Sequence, residues 1–257
     1  MPTLHTEIVT ASTSNGTAFC MFPPQSGPVP TLLLLAMNGE STLRTEPYCC
    51  VGQRLHARGW NVISLDIPCH GTDQREGEPA ELPGWATRVA TGEDFVAAFR
   101  TQVNEILSHL IAQGIADPAR LAVAGTSRGG YLAFQAAAGN PLIRAVAGFS
   151  PVTTLLALGE FAALQAHPLA QQLALRQCVE TLADRACWIT IGSADARVDT
   201  DEAIAFTRAL TQAAVRRDLP LPITLHLLPI PGHSSSVDWH DHAAEWLHAV
   251  VVQPPVD

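Results

Sequence analysis

Three residues far apart in the chain have the types and settings from which a nucleophilic relay could be built: Ser127, Asp195 and His233. Ser127 lies in Gly125-Thr126-Ser127-Arg128-Gly129, a G-x-S-x-G pattern with the apolar run LAVAG leading in and the alanine-rich YLAFQAAA leading out. A serine hydroxyl is a weak nucleophile at neutral pH, so a base must take its proton and a third group must orient that base. The flanking glycines fit a strained strand-to-helix turn, where only small residues let the two elements approach. Such a turn also puts the serine at a helix N-terminus, whose free amides can hold developing negative charge.

The base and its orienter are sought in loops at the carboxyl ends of later strands. The run CWITIG ends in GSADARV, which puts Asp195 three residues past Gly192. Asp199 and Asp201 are rivals, but Asp201 falls at the start of the next helix, where acids are common for dipole reasons. The run PITLHLL leads into PIPGHSSS, which holds His233 after a Pro-Gly turn. Among the ten histidines, His226 is inside that strand, while His240, His242 and His248 fall in or near the final helix. His5, His56, His109 and His167 lie off the strand ends, and His70 falls in the long loop after Asp66.

Elements must position these loops. SNG between two β-prone runs near the N-terminus reads as a hairpin turn at Asn15-Gly16. TLLLLAM and WNVISLD read as buried strands, followed by ARLAVAG, RAVAGFS, CWITIG and PITLHLL. Between them, residues 46–58, 93–114, 129–138, 153–185, 201–217 and 236–252 read as helical, with breaks at Gly159 and Pro168. Residues 67–91, with prolines at 68, 79 and 83, read as a long irregular loop. A hairpin followed by alternating strands and helices predicts an α/β fold: one mostly parallel sheet with helices on both faces. One domain over residues 1–257 is expected, with a small helical insertion around 153–170 and no large cap.

Composition narrows the chemistry. The chain has 257 residues, 47% hydrophobic and 15% charged, with a net charge of −9. That balance suits a globular chain and gives no cationic patch for nucleic acid or an anionic membrane. All fifteen basic residues are arginine, so neither a Schiff-base lysine nor a phosphate-loop lysine is available. None of the six cysteines forms a C-x-x-C pair, and MPTLHTEIV lacks the marks of a signal peptide. Reduced thiols in a cytoplasmic chain are expected.

Ser127, Asp195 and His233 follow one another at intervals of 68 and 38 residues (195 − 127 and 233 − 195). Serine, acid, histidine is the chain order of the α/β-hydrolases. GTSRGG, GSADARV, PGHSSS and LDIPCHG (Leu65–Gly71) together resemble the dienelactone-hydrolase and prolyl-oligopeptidase-like branch of that superfamily. The resemblance covers nearly the whole chain and implies about eight strands with an N-terminal antiparallel hairpin. It also implies acyl transfer through a catalytic Ser127–His233–Asp195 triad. An oxyanion hole would be formed by the backbone N–H of Arg128 and one after the third strand, Glu40 being favoured over Gly39. Where family members commonly carry His-Gly, this chain has Asn38-Gly39-Glu40, a departure that a main-chain donor tolerates.

Asn38, Trp85, Pro151, Val152 and Trp239, with Leu155, Leu156 and Phe161, are candidate pocket residues. A metal on Asp66, His70 and the His240–His242 pair is not expected, because i and i+2 positions of a helix point apart. No cofactor is expected. The leading expectation is hydrolysis of a small to medium carboxylic ester, a small-molecule substrate. Short-peptide hydrolysis, thioester or carbon–carbon bond hydrolysis, and a catalytically idle binding protein are the alternatives. Peptidases of this branch usually carry a propeller or other gating domain, for which the 257 residues offer no candidate segment.

Overall fold

The computed structural model describes residues 7–219, 223–234 and 236–252. Pro222, the first residue of the expected last strand, and Ser235 of the histidine loop lie outside them. The chain begins with a hairpin of β1 (Val9–Ser12) and β2 (Ala18–Met21), turned at Asn15-Gly16 with Gly16 at φ 94°. Six further strands complete one sheet: β3 (Val29–Leu35), β4 (Asn61–Ser64), β5 (Ala116–Thr126), β6 (Ile143–Phe149), β7 (Ala186–Gly192) and β8 (Ile223–Leu228). Their order is β1-β2-β4-β3-β5-β6-β7-β8, antiparallel as far as the β2/β4 pair and parallel from β4 to β8. This is the α/β-hydrolase fold.

The helices are α1 (Gly39–Arg44), α2 (Cys50–His56), α3 (Glu81–Ala90), α4 (Phe95–Ala112), α5 (Arg128–Gly139), α6 (Pro168–Gln172), α7 (Val179–Leu182), α8 (Thr200–Arg216) and α9 (Val237–Val252). They cover both faces, and the strand sequences show why. Side chains alternate across a strand. Leu33, Leu35, Val123, Ile189 and Ile191 therefore join one core with Phe95, Phe99, Tyr131, Phe134 and Phe206 of α4, α5 and α8. Leu32, Leu34, Ala122, Ala124 and Trp188 join a second core with Val51, Ala243 and Leu247 of α2 and α9. Both faces are buried, which is why these strands read as continuous apolar runs.

Three segments depart from the expected elements. The predicted loop over 67–91 contains α3 from Glu81, with Pro83 inside its first turn. Proline is tolerated there because first-turn amides have no intrahelical acceptor. The segment after β3 forms α1, capped by Asn38, whose Oδ1 accepts the Ser41 amide at 2.8 Å. The helix predicted over 153–185 is instead a chain of 3-10 turns and the short α6 and α7. Among the described residues, no helix is long and apolar enough to cross a membrane.

Candidate active site

β5 runs straight into α5 through Ser127, which adopts φ 56° and ψ −118°. That left-handed conformation is strained for a serine and is held from several sides. The Ser127 amide donates to the Phe149 carbonyl at 2.8 Å, and the Val152 and Tyr131 amides donate to the Ser127 carbonyl at 3.1 and 3.0 Å. The flanking glycines have steric reasons. A Cβ on Gly125 would lie 2.2 Å from the Gly129 carbonyl oxygen, and one on Gly129 would lie 2.1 Å from that of Leu35. The turn closes only because neither atom exists.

Asp195 lies in the loop after β7. Its amide donates to Thr200 Oγ1 at 2.9 Å, and that hydroxyl donates to the Gly192 carbonyl at 2.7 Å, which fixes the loop to the strand end. The carboxylate is fully buried. Oδ1 accepts the Arg197 amide at 3.0 Å and the Val198 amide at 3.3 Å, leaving Oδ2 for His233 Nδ1 at 2.8 Å. Backbone amides thus hold the carboxylate in a fixed orientation. The rival Asp199 has a different task, accepting the Asp201 and Glu202 amides as the N-cap of α8.

His233 enters from the loop after β8. Its Nε2 lies 2.8 Å from Ser127 Oγ. With Nδ1–H donated to Asp195, Nε2 is free to accept the serine proton. Three residues from three separate loops therefore form one hydrogen-bonded line.

The line borders a cavity of about 430 Å³. Its walls include Ala36 and Met37 after β3, Pro47 and Tyr48 before α2, Leu82 of α3, Arg128, Ser150, Arg197 and Ser234. Of the two residues expected after β3 to hold an oxyanion, the Gly39 amide is engaged, donating to Asp66 Oδ1 at 2.9 Å. Neither Gly39 nor Glu40 is among the described residues that border the cavity. They are the first two residues of α1, and Glu40 pairs with Arg44. Arg128 does border the cavity, and as the first residue of α5 its amide has no intrahelical acceptor.

The expected pocket residues sit elsewhere. Trp85 is fully buried against Phe95 and Tyr131, and its Nε1 donates to the Pro68 carbonyl at 2.6 Å. Val152, Leu155 and Phe161 are core residues with no exposure, and Leu156 packs against the same core. Pro151 packs beside Gly130 and Gly148. Trp239 joins the aromatic group of Trp188, His226 and His242 against the second core. Asn38 caps α1. Asp66 holds the Gly39 and Thr72 amides, so its carboxylate ties the ends of β3 and β4 together. The wall residues Tyr48, Leu82 and Ser150 carried no motif, whereas Arg197 stands within GSADARV. Only Ser150 and Arg197 had a signal that could have found them, namely their places after β6 and in the Asp195 loop.

Residues 93–252 match the model of the prolyl oligopeptidase family. Over 122 residues the chain is 32% identical to hydrolase ffsE of Aspergillus flavipes, a match covering 46% of this chain and 25% of that protein. The chain thus spans about a quarter of that relative's length. Among solved structures, TT1662 from Thermus thermophilus superposes with a TM-score of 0.69 at 19% identity, over 94% of this chain and 97% of that one. Acetyl xylan esterase 1 from Thermoanaerobacterium sp. JW/SL YS485 does so with a TM-score of 0.62 at 15% identity, over 96% and 89%. These likenesses concern the fold.

Proposed function

The chain belongs to the prolyl oligopeptidase family of serine hydrolases within the α/β-hydrolase superfamily, and from that premise we propose that it hydrolyses a small to medium carboxylic ester through an acyl-enzyme. The observation that carries this reading is the line Ser127 Oγ–His233–Asp195, with 2.8 Å on either side of the imidazole, opening on the cavity. Ser127 attacks the ester carbonyl while His233 Nε2 takes its proton. Asp195 keeps the proton on Nδ1 and stabilises the imidazolium that forms. The Arg128 amide, at the N-terminus of α5, donates to the oxyanion, and losing one such donor typically costs about 3 kcal/mol. His233 then returns the proton to the leaving alkoxide, and water attacks the acyl-enzyme by the same relay in reverse.

A second reading, hydrolysis of short peptides, has the family's name in its favour. Against it, no carboxylate is among the described residues that border the cavity, so nothing there would pair with a peptide's N-terminal ammonium. A neutral ester needs no such partner, and an acetyl xylan esterase shares the fold.

A fluorophosphonate probe should label the wild-type protein and leave Ser127→Ala unlabelled. A panel of 4-nitrophenyl esters and aminoacyl 4-nitroanilides then separates the two readings. Turnover of the anilides without turnover of the esters would replace the ester reading. Labelling that survives Ser127→Ala would remove both.

A further inference from the structure

We propose that Glu81 and the side chain of Arg128 are positioning residues: the Arg128 guanidinium ties the end of β3 to the start of α3 and so fixes the oxyanion-donating amide of its own residue. The proposal deepens the acyl-enzyme reading and rests on it.

The serine turn has little of its own to hold it. Between Gly125 and Tyr131, only Thr126, Ser127 and Arg128 carry side chains. Glycine leaves the backbone free, and the Ser127 hydroxyl is engaged with His233. Arg128 is also an unfavourable choice on local grounds. It is the first residue of α5, where the helix dipole disfavours a cation, and α5 has no acid in its first turn. A cation kept against the dipole points to a task for its side chain.

That side chain joins three segments. Arg128 Nε donates to the Ala36 carbonyl at 3.3 Å, and Nη1 donates to Glu81 Oε2 at 2.5 Å. The ladder between β3 and β5 ends at Leu35 and Gly125, so the guanidinium holds β3 one residue beyond the last strand pair. There the close approach of Gly129 to the Leu35 carbonyl is a steric contact. Such a contact resists compression and does nothing against separation, which the hydrogen bond to Ala36 opposes. The Arg128 side chain is 18% exposed, so water competes little for these bonds.

Glu81 anchors the far end. It starts α3 with φ 60°, in the left-handed region that a glutamate rarely adopts, and its amide donates to the Cys69 carbonyl at 3.0 Å. Backbone strain held in place by its surroundings gathers at functional sites. Ala36, Leu82 and Arg128 all border the cavity, so the tied segments are ones that wall the reacting centre. An oxyanion donor serves only when held within about 0.5 Å of its place. A guanidinium fork can hold two acceptors in fixed directions, whereas an ammonium is a point charge.

The test expresses ester turnover per functional serine, counted by fluorophosphonate labelling carried to completion. Arg128→Met should lower kcat per labelled site by at least about tenfold and leave KM within about twofold, since a misplacement of about 1 Å costs about 10²-fold. Arg128→Lys should recover part of that loss. Glu81 is 53% exposed, so Glu81→Ala should cost less, about threefold, and Glu81→Gln, which keeps an acceptor, less again. The double variant Glu81→Ala/Arg128→Met should be no slower than Arg128→Met alone, as expected of two residues acting through one tie. A merely structural pair would instead lower the number of labelled sites and the melting temperature, with kcat per site unchanged, and would overturn the proposal. A loss confined to KM would make Arg128 a substrate-binding side chain and would overturn it too, as would losses that multiply in the double variant. If the wild type turns over no ester, the ester reading fails by itself. The second-order rate of fluorophosphonate labelling of Ser127 should still fall across the variants in the same order, and equal rates would sink the positioning role.

Discussion

Replacing Gly129 by alanine adds one carbon at the tightest point of the serine turn. That carbon would lie 2.1 Å from the Leu35 carbonyl oxygen, 2.4 Å from its carbon and 2.7 Å from Ala36 Cα, where ordinary contact begins at 3.4 Å. The shortfall at the oxygen is 1.3 Å (3.4 − 2.1), and all three neighbours are backbone of β3 or the residue after it, so no side chain can swing away. Either α5 or the end of β3 must move by about an ångström. Ser127 and the Arg128 amide sit on the moving helix end, so the 2.8 Å contact to His233 would open beyond hydrogen-bonding reach. A misplacement of about 1 Å costs about 10²-fold in rate, and overpacking of this kind costs about 1–3 kcal/mol in stability. Ester turnover and thermal melts on Gly129→Ala measure both. Gly159→Ala is the control, since its added carbon meets nothing within 4 Å. Wild-type turnover with an unchanged melting temperature in Gly129→Ala would refute the claim that this close approach holds the serine in place.

Further outcomes follow from the same geometry. Asp195→Asn keeps the shape but allows the wrong imidazole tautomer, and kcat should fall by about 10⁴-fold while fluorophosphonate labelling slows without vanishing. Glu78→Ala leaves the buried Arg88 guanidinium, now bonded at 2.7 and 2.8 Å, with Asp73 as its close partner, and should cost about 3 kcal/mol in a denaturant titration. His240 is buried and stacked on Phe149 at 3.8 Å, and loss of hydration lowers its pKa to about 4. Below about 6.5 the unfolded chain takes up this proton and the folded chain does not, so acid favours unfolding. Stability should fall from pH 6.5 to 4 by about 3 kcal/mol on this account, and His240→Phe should flatten that part of the profile in pH-dependent melts. Burial lowers the pKa of His70 and His226 as well, so the variant removes one share of the slope.

Ser127, Asp195 and His233 were legible because each stands in a short motif at the carboxyl end of a strand that its own apolar residues announce. Strand ends in a parallel sheet converge, so a position along the chain becomes a position in space without knowledge of anything between. The wall of the cavity has no such rule. Trp85 and Val152 stand in segments that pass near the site, yet both face the core, because α3 turns Trp85 onto Phe95 and Tyr131. Trp239 is drawn to Trp188 on the opposite face of the sheet. Gly39 lost its expected role to Asp66, a hydrogen-bond partner 27 residues away that no local pattern could announce. The sequence by itself determined the strands, the alternation that buries both faces and the residues able to relay a proton. Tertiary structure alone decided which side chains border the cavity and which amides remain free, because both depend on contacts between segments that local periodicity does not encode.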